Sequence, residues 1–134
     1  MKEIAVSGGF DPIHIGHVRM FREAQKLGKL FILLNSDRFL RDKKGYVFMP
    51  LEERKEMLEQ WGIVIPVIDS DNTVRETLRA MKPDIFVNGG DRVEGSVPEE
   101  AVCKELNIKM LYGIGGTGIE SSSDYINRVC KQLQ

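Results

Sequence analysis

The feature that most constrains the fold is an unbroken apolar run, Leu30-Phe31-Ile32-Leu33-Leu34, flanked by stretches of different periodicity. Five apolar residues without alternation suit a strand covered on both faces, which requires helices on each side of a parallel sheet. The rest of the chain supplies them. Glu3 to Ser7 reads as a first strand, ended by Gly8-Gly9. Ile15, Val18, Phe21, Ala24 and Leu27 recur at helical spacing, and Gly28 stops that helix. Residues 35 to 48 read as irregular and basic. Pro50 opens a helix carrying Leu51, Arg54, Met57, Leu58 and Trp61, with Gly62 as its end.

Further on, Ile63 to Ile68 reads as a strand whose Pro66 argues for an edge or a bulge. Asn72 to Met81 reads as a helix, Asp84 to Asn88 as a strand, Pro98 to Leu106 as a helix, Ile108 to Tyr112 as a strand and Ser121 to Leu133 as a helix. This alternation predicts an α/β fold, a Rossmann-like doubly wound five-stranded parallel sheet with right-handed crossovers. One domain over residues 1–134 accommodates it. Ligands of such sheets bind beyond the carboxyl ends of the strands, where strand order reverses, so the loops after the strands are the place to look for function.

Charge narrows the partners. Nineteen Lys and Arg against twenty Asp and Glu leave a net charge of -1, so a broad nucleic-acid face is not expected. Apolar runs of five or six residues are far below a membrane span, and Met1 to Ser7 lacks the core of a signal peptide. A cytoplasmic location is the expectation. Cys103 and Cys130 are far apart and lack nearby histidines, which argues against a structural zinc site and for two buried thiols.

The strongest functional signal follows the first strand: Ser7-Gly8-Gly9-Phe10-Asp11-Pro12-Ile13-His14-Ile15-Gly16-His17. Backbone N–H groups and the helix dipole at such an entrance favour an anion. Gly8 and Gly9 allow close backbone approach. The chain has only two histidines, and both flank Gly16 here. A lone histidine at a helix start is usually a cap; two around a glycine, after a Gly-Gly strand end, fit a triphosphate whose leaving pyrophosphate accepts imidazole N–H bonds. Asp11 fits either a turn before Pro12 or a carboxylate facing an acceptor or a magnesium ion.

Gly9-Phe10-Asp11-Pro12-Ile13-His14-Ile15-Gly16-His17 resembles the His-x-Gly-His signature of the nucleotidyltransferase superfamily. The similarity is to its cytidylyltransferase-like members, which include glycerol-3-phosphate cytidylyltransferase and the heptose-phosphate adenylyltransferase domain. Class I aminoacyl-tRNA synthetases share the histidine pair, but their length and lysine-rich second signature are missing. The resemblance extends over nearly the whole chain. It implies that His14, His17, Lys43 and Lys44 are catalytic, one of the two lysines closing over the phosphates. It implies nucleotide contacts from Gly8, Gly9, Phe10, Gly16, Arg54, Asn88, Gly90, Asp91 and the helix-start serines Ser121, Ser122 and Ser123. Asp11 would face the acceptor, with further selection around Ile13 and the loop 69–72. Mg²⁺ would be carried by the triphosphate rather than ligated by the protein, and a homodimer is implied.

The reaction so implied moves a nucleoside monophosphate from a nucleoside triphosphate to a small phosphate-bearing acceptor such as a sugar phosphate, releasing pyrophosphate. The end Asn88-Gly89-Gly90-Asp91 is closer to the adenylyltransferases, and no arginine precedes Gly118-Ile119, where the cytidylyltransferases carry one. Both favour ATP over CTP, with a glycerol-3-phosphate-type cytidylyltransferase as the alternative. After the serines, Ile126 stands where the family's arginine is usual, with Arg128 two residues on. A non-catalytic nucleotide-binding sensor is the competing class, opposed by the intact histidine pair. Gly113 to Gly118 matches the dinucleotide G-x-G-x-x-G spacing, but sixteen residues remain after it, too few for the next strand and its ribose-binding acid.

Overall fold

The apolar run at 30–34 lies next to the centre of a five-stranded sheet. The computed structural model describes residues 1–68, 71–89, 97–116 and 121–134. Within them the strands are β1 (Glu3–Gly8), β2 (Lys29–Leu34), β3 (Ile63–Pro66), β4 (Ile85–Gly89) and β5 (Lys109–Ile114). They alternate with helices α1 (Ile15–Gln25), α2 (Asp37–Lys44), α3 (Leu51–Leu58), α4 (Arg75–Met81), α5 (Glu100–Glu105) and α6 (Ser122–Gln132). The strand order is β3-β2-β1-β4-β5, with every neighbouring pair parallel. The order reverses between β1 and β4, the expected place for a ligand.

Alternation along each strand feeds two cores. Ile4, Val6, Ile32, Leu34 and Val87 point to one face, where Phe10, Phe21 and Leu58 cover them. Ala5, Leu33 and Phe86 point to the other, against Val74, Leu78, Val102 and Cys103. Each fully buried Leu, Ile or Phe contributes about 1.5–3 kcal/mol relative to exposure, so both faces hold the sheet rigid beneath its loops. Pro66 ends β3 on the outer edge, where its missing N–H is tolerated.

Strand β3 stops at Pro66 rather than Ile68 and α3 at Leu58 rather than Trp61, and three further elements differ from the sequence reading. Residues 35–48 are not irregular: Ser36 Oγ accepts from the Phe39 amide at 3.0 Å, α2 follows, and Gly45 closes it at φ 88°. Helical periodicity was hidden because only Phe39 and Leu40 of this helix are buried. Helix α4 starts at Arg75 rather than Asn72, because Asp71 accepts from both the amide and the hydroxyl of Thr73 and forms a turn instead. Strand β5 runs on to Ile114, so Gly113 and Ile114 belong to the sheet, and among the described residues of the glycine run Gly115 and Gly116 turn away; residues 117 and 118 lie outside them. Cys103 is buried as expected, whereas Cys130 is exposed on α6. Among the described residues, no helix is long and apolar enough to cross a membrane.

Candidate active site

The loop from β1 to α1 holds the two histidines in a fixed relation. His14 is the N-cap of α1, and its Nδ1 accepts from the Gly16 amide at 3.1 Å. His17 returns the bond, its Nδ1 accepting from the His14 amide at 3.2 Å. This is the reciprocal logic of a capping box, made with imidazoles instead of a hydroxyl and a carboxylate. The rings stack with centroids 3.8 Å apart. Because each Nδ1 is an acceptor, each neutral ring carries its proton on Nε2, so both offer an Nε2–H to a ligand.

Both rings are held neutral. Burial lowers the His14 pKa, and the Lys44 ammonium lowers it further. For His17, burial, then His14 and Lys44, bring it to about 3. At neutral pH the pair is therefore two hydrogen-bond donors rather than two cations. Folded His17 sits below the unfolded value of 6.5, so the unfolded chain takes up the proton first. Its contribution to stability is complete above pH 6.5 and falls as the pH drops towards 3. Nitrogen-15 NMR of the imidazoles should find His17 neutral down to about pH 4; a midpoint near 6.5 would contradict a buried, neutral ring.

Lysine 44, at the end of α2, is the cation whose field reaches both rings. Its own pKa is lowered by burial, with Asp11 opposing and Lys43 and Arg54 adding to the effect. Lys43 places its Nζ over the Phe39 ring at 5.8 Å. Both lysines line a cavity of about 240 Å³ at the carboxyl ends of the strands, with Ser7, Gly8 and Gly9 of the first loop and Asn88 of β4. Lys44 thus belongs to the cavity and to the histidine pair at once. Gly9 packs closely on α2: a Cβ there would lie 2.5 Å from Leu40 Cδ2, so a larger residue would have to displace that buried side chain.

Several residues expected at the ligand take supporting places instead. Asp11 is fully buried, its two carboxylate oxygens each accepting a backbone amide, from Phe48 and Met49, at 2.6 Å. It fastens the segment before α3 to the first loop and has no oxygen turned to an acceptor. Arg54, expected at a phosphate, is 1% exposed. Its guanidinium donates to the carbonyls of Met49, Gly9 and Asn35 and to the Asp37 carboxylate, at 2.7–2.9 Å. Phe10, at φ 50° and 3% exposed, packs its ring edge-on against His17 and into the core, and so braces the imidazole.

The three serines divide their work. Ser121 caps α6, accepting from the Asp124 amide at 3.2 Å. Ser122 is buried and donates to the Pro12 carbonyl at 2.6 Å, while Ser123 accepts from the Tyr46 hydroxyl at 3.3 Å. Tyr125 of the same helix approaches His14, ring centroids 5.5 Å apart. Gly16 serves His14 through its amide, and Asn88 donates weakly to the Leu111 carbonyl at 3.4 Å. Gly90 and Asp91 lie outside the described residues. One cavity residue, Asn35 at the end of β2, is absent from the sequence-derived site; its place after an apolar strand was the available signal.

Two neutral imidazole donors at a helix entrance, beside a half-buried ammonium at the reversal of strand order, fit an anion-binding α/β enzyme. The chain belongs to the cytidylyltransferase-like family, whose model matches residues 5–120, and so to the nucleotidyltransferases. It is 36% identical over 107 residues to the bifunctional protein HldE of Streptomyces coelicolor, covering 76% of this chain and 23% of that protein. It is 38% identical over 109 residues to the HldE of Syntrophotalea carbinolica, covering 77% of this chain and 21% of that protein. The chain therefore spans less than a quarter of the length of these two relatives. A lipopolysaccharide core biosynthesis protein from Thermoplasma volcanium shares the fold, with a TM-score of 0.71 over 85% of this chain and 96% of that chain, at 23% identity.

Proposed function

We propose that the chain transfers a nucleoside monophosphate, from ATP in preference to CTP, to a small phosphate ester such as a sugar phosphate, releasing pyrophosphate. The observation that carries this reading is the stacked pair of neutral imidazoles presenting Nε2–H groups within the field of Lys44. A phosphate acceptor is already anionic at neutral pH, so it attacks the α-phosphorus without a strong base. What the site must supply is positioning and donors for the charge that grows on the departing pyrophosphate. Neutral donors suit that task, because they gain strength as the charge develops and repel no neighbouring cation. Magnesium enters with the triphosphate as part of the substrate. Asp11, in the same loop as the histidines, accepts two backbone amides.

The two lysines divide the ligands. Lys44, which lines the cavity and whose charge acts on both histidines, is the lysine we assign to the α-phosphate; Lys43, which lines the same cavity, is assigned to the acceptor. Lys44→Ala is expected to lower kcat by about 100-fold. Lys43→Ala should leave kcat within about threefold and raise the acceptor KM. Steady-state kinetics on both variants checks this, and the reverse ranking would move the catalytic role to Lys43.

A pyrophosphate-release screen crossing four nucleoside triphosphates with phosphorylated acceptors tests the reading as a whole. Turnover with CTP and glycerol 3-phosphate would favour the cytidylyltransferase alternative. Nucleotide binding without release for any acceptor would leave a sensor module. A homodimer belongs to the same proposal, supported by family resemblance alone, and light scattering in solution tests it.

A further inference from the structure

We propose that Asn35 reads a hydroxyl group of the acceptor, so that the cavity lined by Lys43 and Lys44 selects hydroxyl-bearing phosphate esters over plain ones. This rests on the nucleotidyl-transfer reading above and adds to it the residue that chooses the acceptor.

Asn35 follows β2 directly and lines the cavity at the carboxyl ends of the strands. It is 7% exposed, and its Oδ1 is buried with no hydrogen-bond partner among the described residues. Buried side-chain oxygens are nearly always paired, because an unpaired one has given up water for nothing. Nothing local requires a carboxamide here. The residue's structural bonds are made by its backbone: the amide donates to the Gly8 carbonyl at 3.0 Å, and the carbonyl accepts from Arg54 Nη1 at 2.8 Å. The side chain is therefore delivered to a fixed place and left uncommitted.

The surroundings specify the ligand. Two ammonium groups on α2 line the same cavity and suit the acceptor's phosphate, while Asn72, Thr73 and Glu99 add polar groups to its lining. Asn72 is held there by donating to Asp42 of α2 at 3.0 Å. A hydroxyl both donates and accepts. A carboxamide offers an oxygen and an N–H₂ that exchange places on a half-turn, so Asn35 can meet a hydroxyl in either sense. A plain alkyl phosphate would fill the lysine end and leave Asn35 unpaired. Discrimination by an unpaired buried group is typically large.

The test compares glycerol 3-phosphate and glucose 1-phosphate with propyl phosphate and cyclohexyl phosphate, in wild type and Asn35→Ala. Wild type should favour the hydroxylated esters by about tenfold or more in kcat/KM. Asn35→Ala should lose that preference, with an unchanged KM for the nucleotide and no fall in melting temperature. Asn35→Leu, which keeps the branching of asparagine in an apolar and larger side chain, is the second variant, with the same expectation for acceptor preference. Preference retained in whichever variant folds overturns the proposal, as does a wild type that treats both kinds of ester alike. If no acceptor yields pyrophosphate, the nucleotidyl-transfer reading fails, and thermal shift by the same four esters decides the role of Asn35. A larger shift from hydroxylated esters that vanishes in Asn35→Ala supports it; equal shifts in both proteins overturn it.

Discussion

His17→Ala is expected to lower kcat by about 100-fold or more while raising the nucleotide KM only modestly. The ring gives the site an Nε2–H donor whose bond strengthens as the pyrophosphate takes up charge, so its loss falls on the transition state rather than on binding. The variant also removes the Nδ1 that accepts the His14 amide at 3.2 Å. Losing such a cap costs about 0.5–2 kcal/mol, so unfolding must be measured beside turnover. His17→Gln separates the two effects, because it keeps an N–H donor without the ring, and it should recover part of the lost rate. Single-turnover pyrophosphate release is the measurement. Near-normal turnover in His17→Ala would remove the imidazole from the mechanism.

The second large effect is one of stability. Arg54→Ala strips donors from the carbonyls of Gly9, Asn35 and Met49 and from Asp37, all in contact with a fully buried guanidinium. Removing one partner from such a buried charged network costs about 3–5 kcal/mol, a large share of a small domain's total. The urea midpoint should fall accordingly. Arg54→Lys keeps the charge but not the planar fork that spans several acceptors, so it should recover only a minor part. A direct phosphate contact predicts the opposite pattern: unchanged stability and a raised nucleotide KM.

These two residues also mark what the sequence could and could not convey. The histidine pair was legible because its information is local: two rings, one glycine and a helix start lie within four consecutive positions. The sheet was equally legible, since Leu30 to Leu34 admits little but a doubly covered strand, and Pro66 was rightly assigned to an edge. Arg54 and Asp11 stood out by residue type, yet their partners are backbone atoms from distant segments, which carry no residue-specific signature. Helix α2 was missed because its charged residues conceal a short apolar face, although Ser36 and Gly45 are its expected boundary signals. Asn35 opens the stretch that reads as irregular and basic, and nothing in its residue type marks it out. Its significance rests on a missing bond, and a missing bond cannot be seen before the fold is known.

Ser122 Oγ to the Pro12 carbonyl, and the Tyr46 hydroxyl to Ser123, join positions 110 and 77 residues apart. Such long chain closures form only once most of the intervening polypeptide is in place. During synthesis, the histidine loop can cap its own helix as soon as α1 exists, but the ring of Tyr125 and the tie to Pro12 must wait for the last helix. The site is therefore finished from the opposite end of the chain. A polypeptide interrupted before α6 would carry both histidines and still lack the Ser122 tie to Pro12 and the Tyr125 ring beside His14.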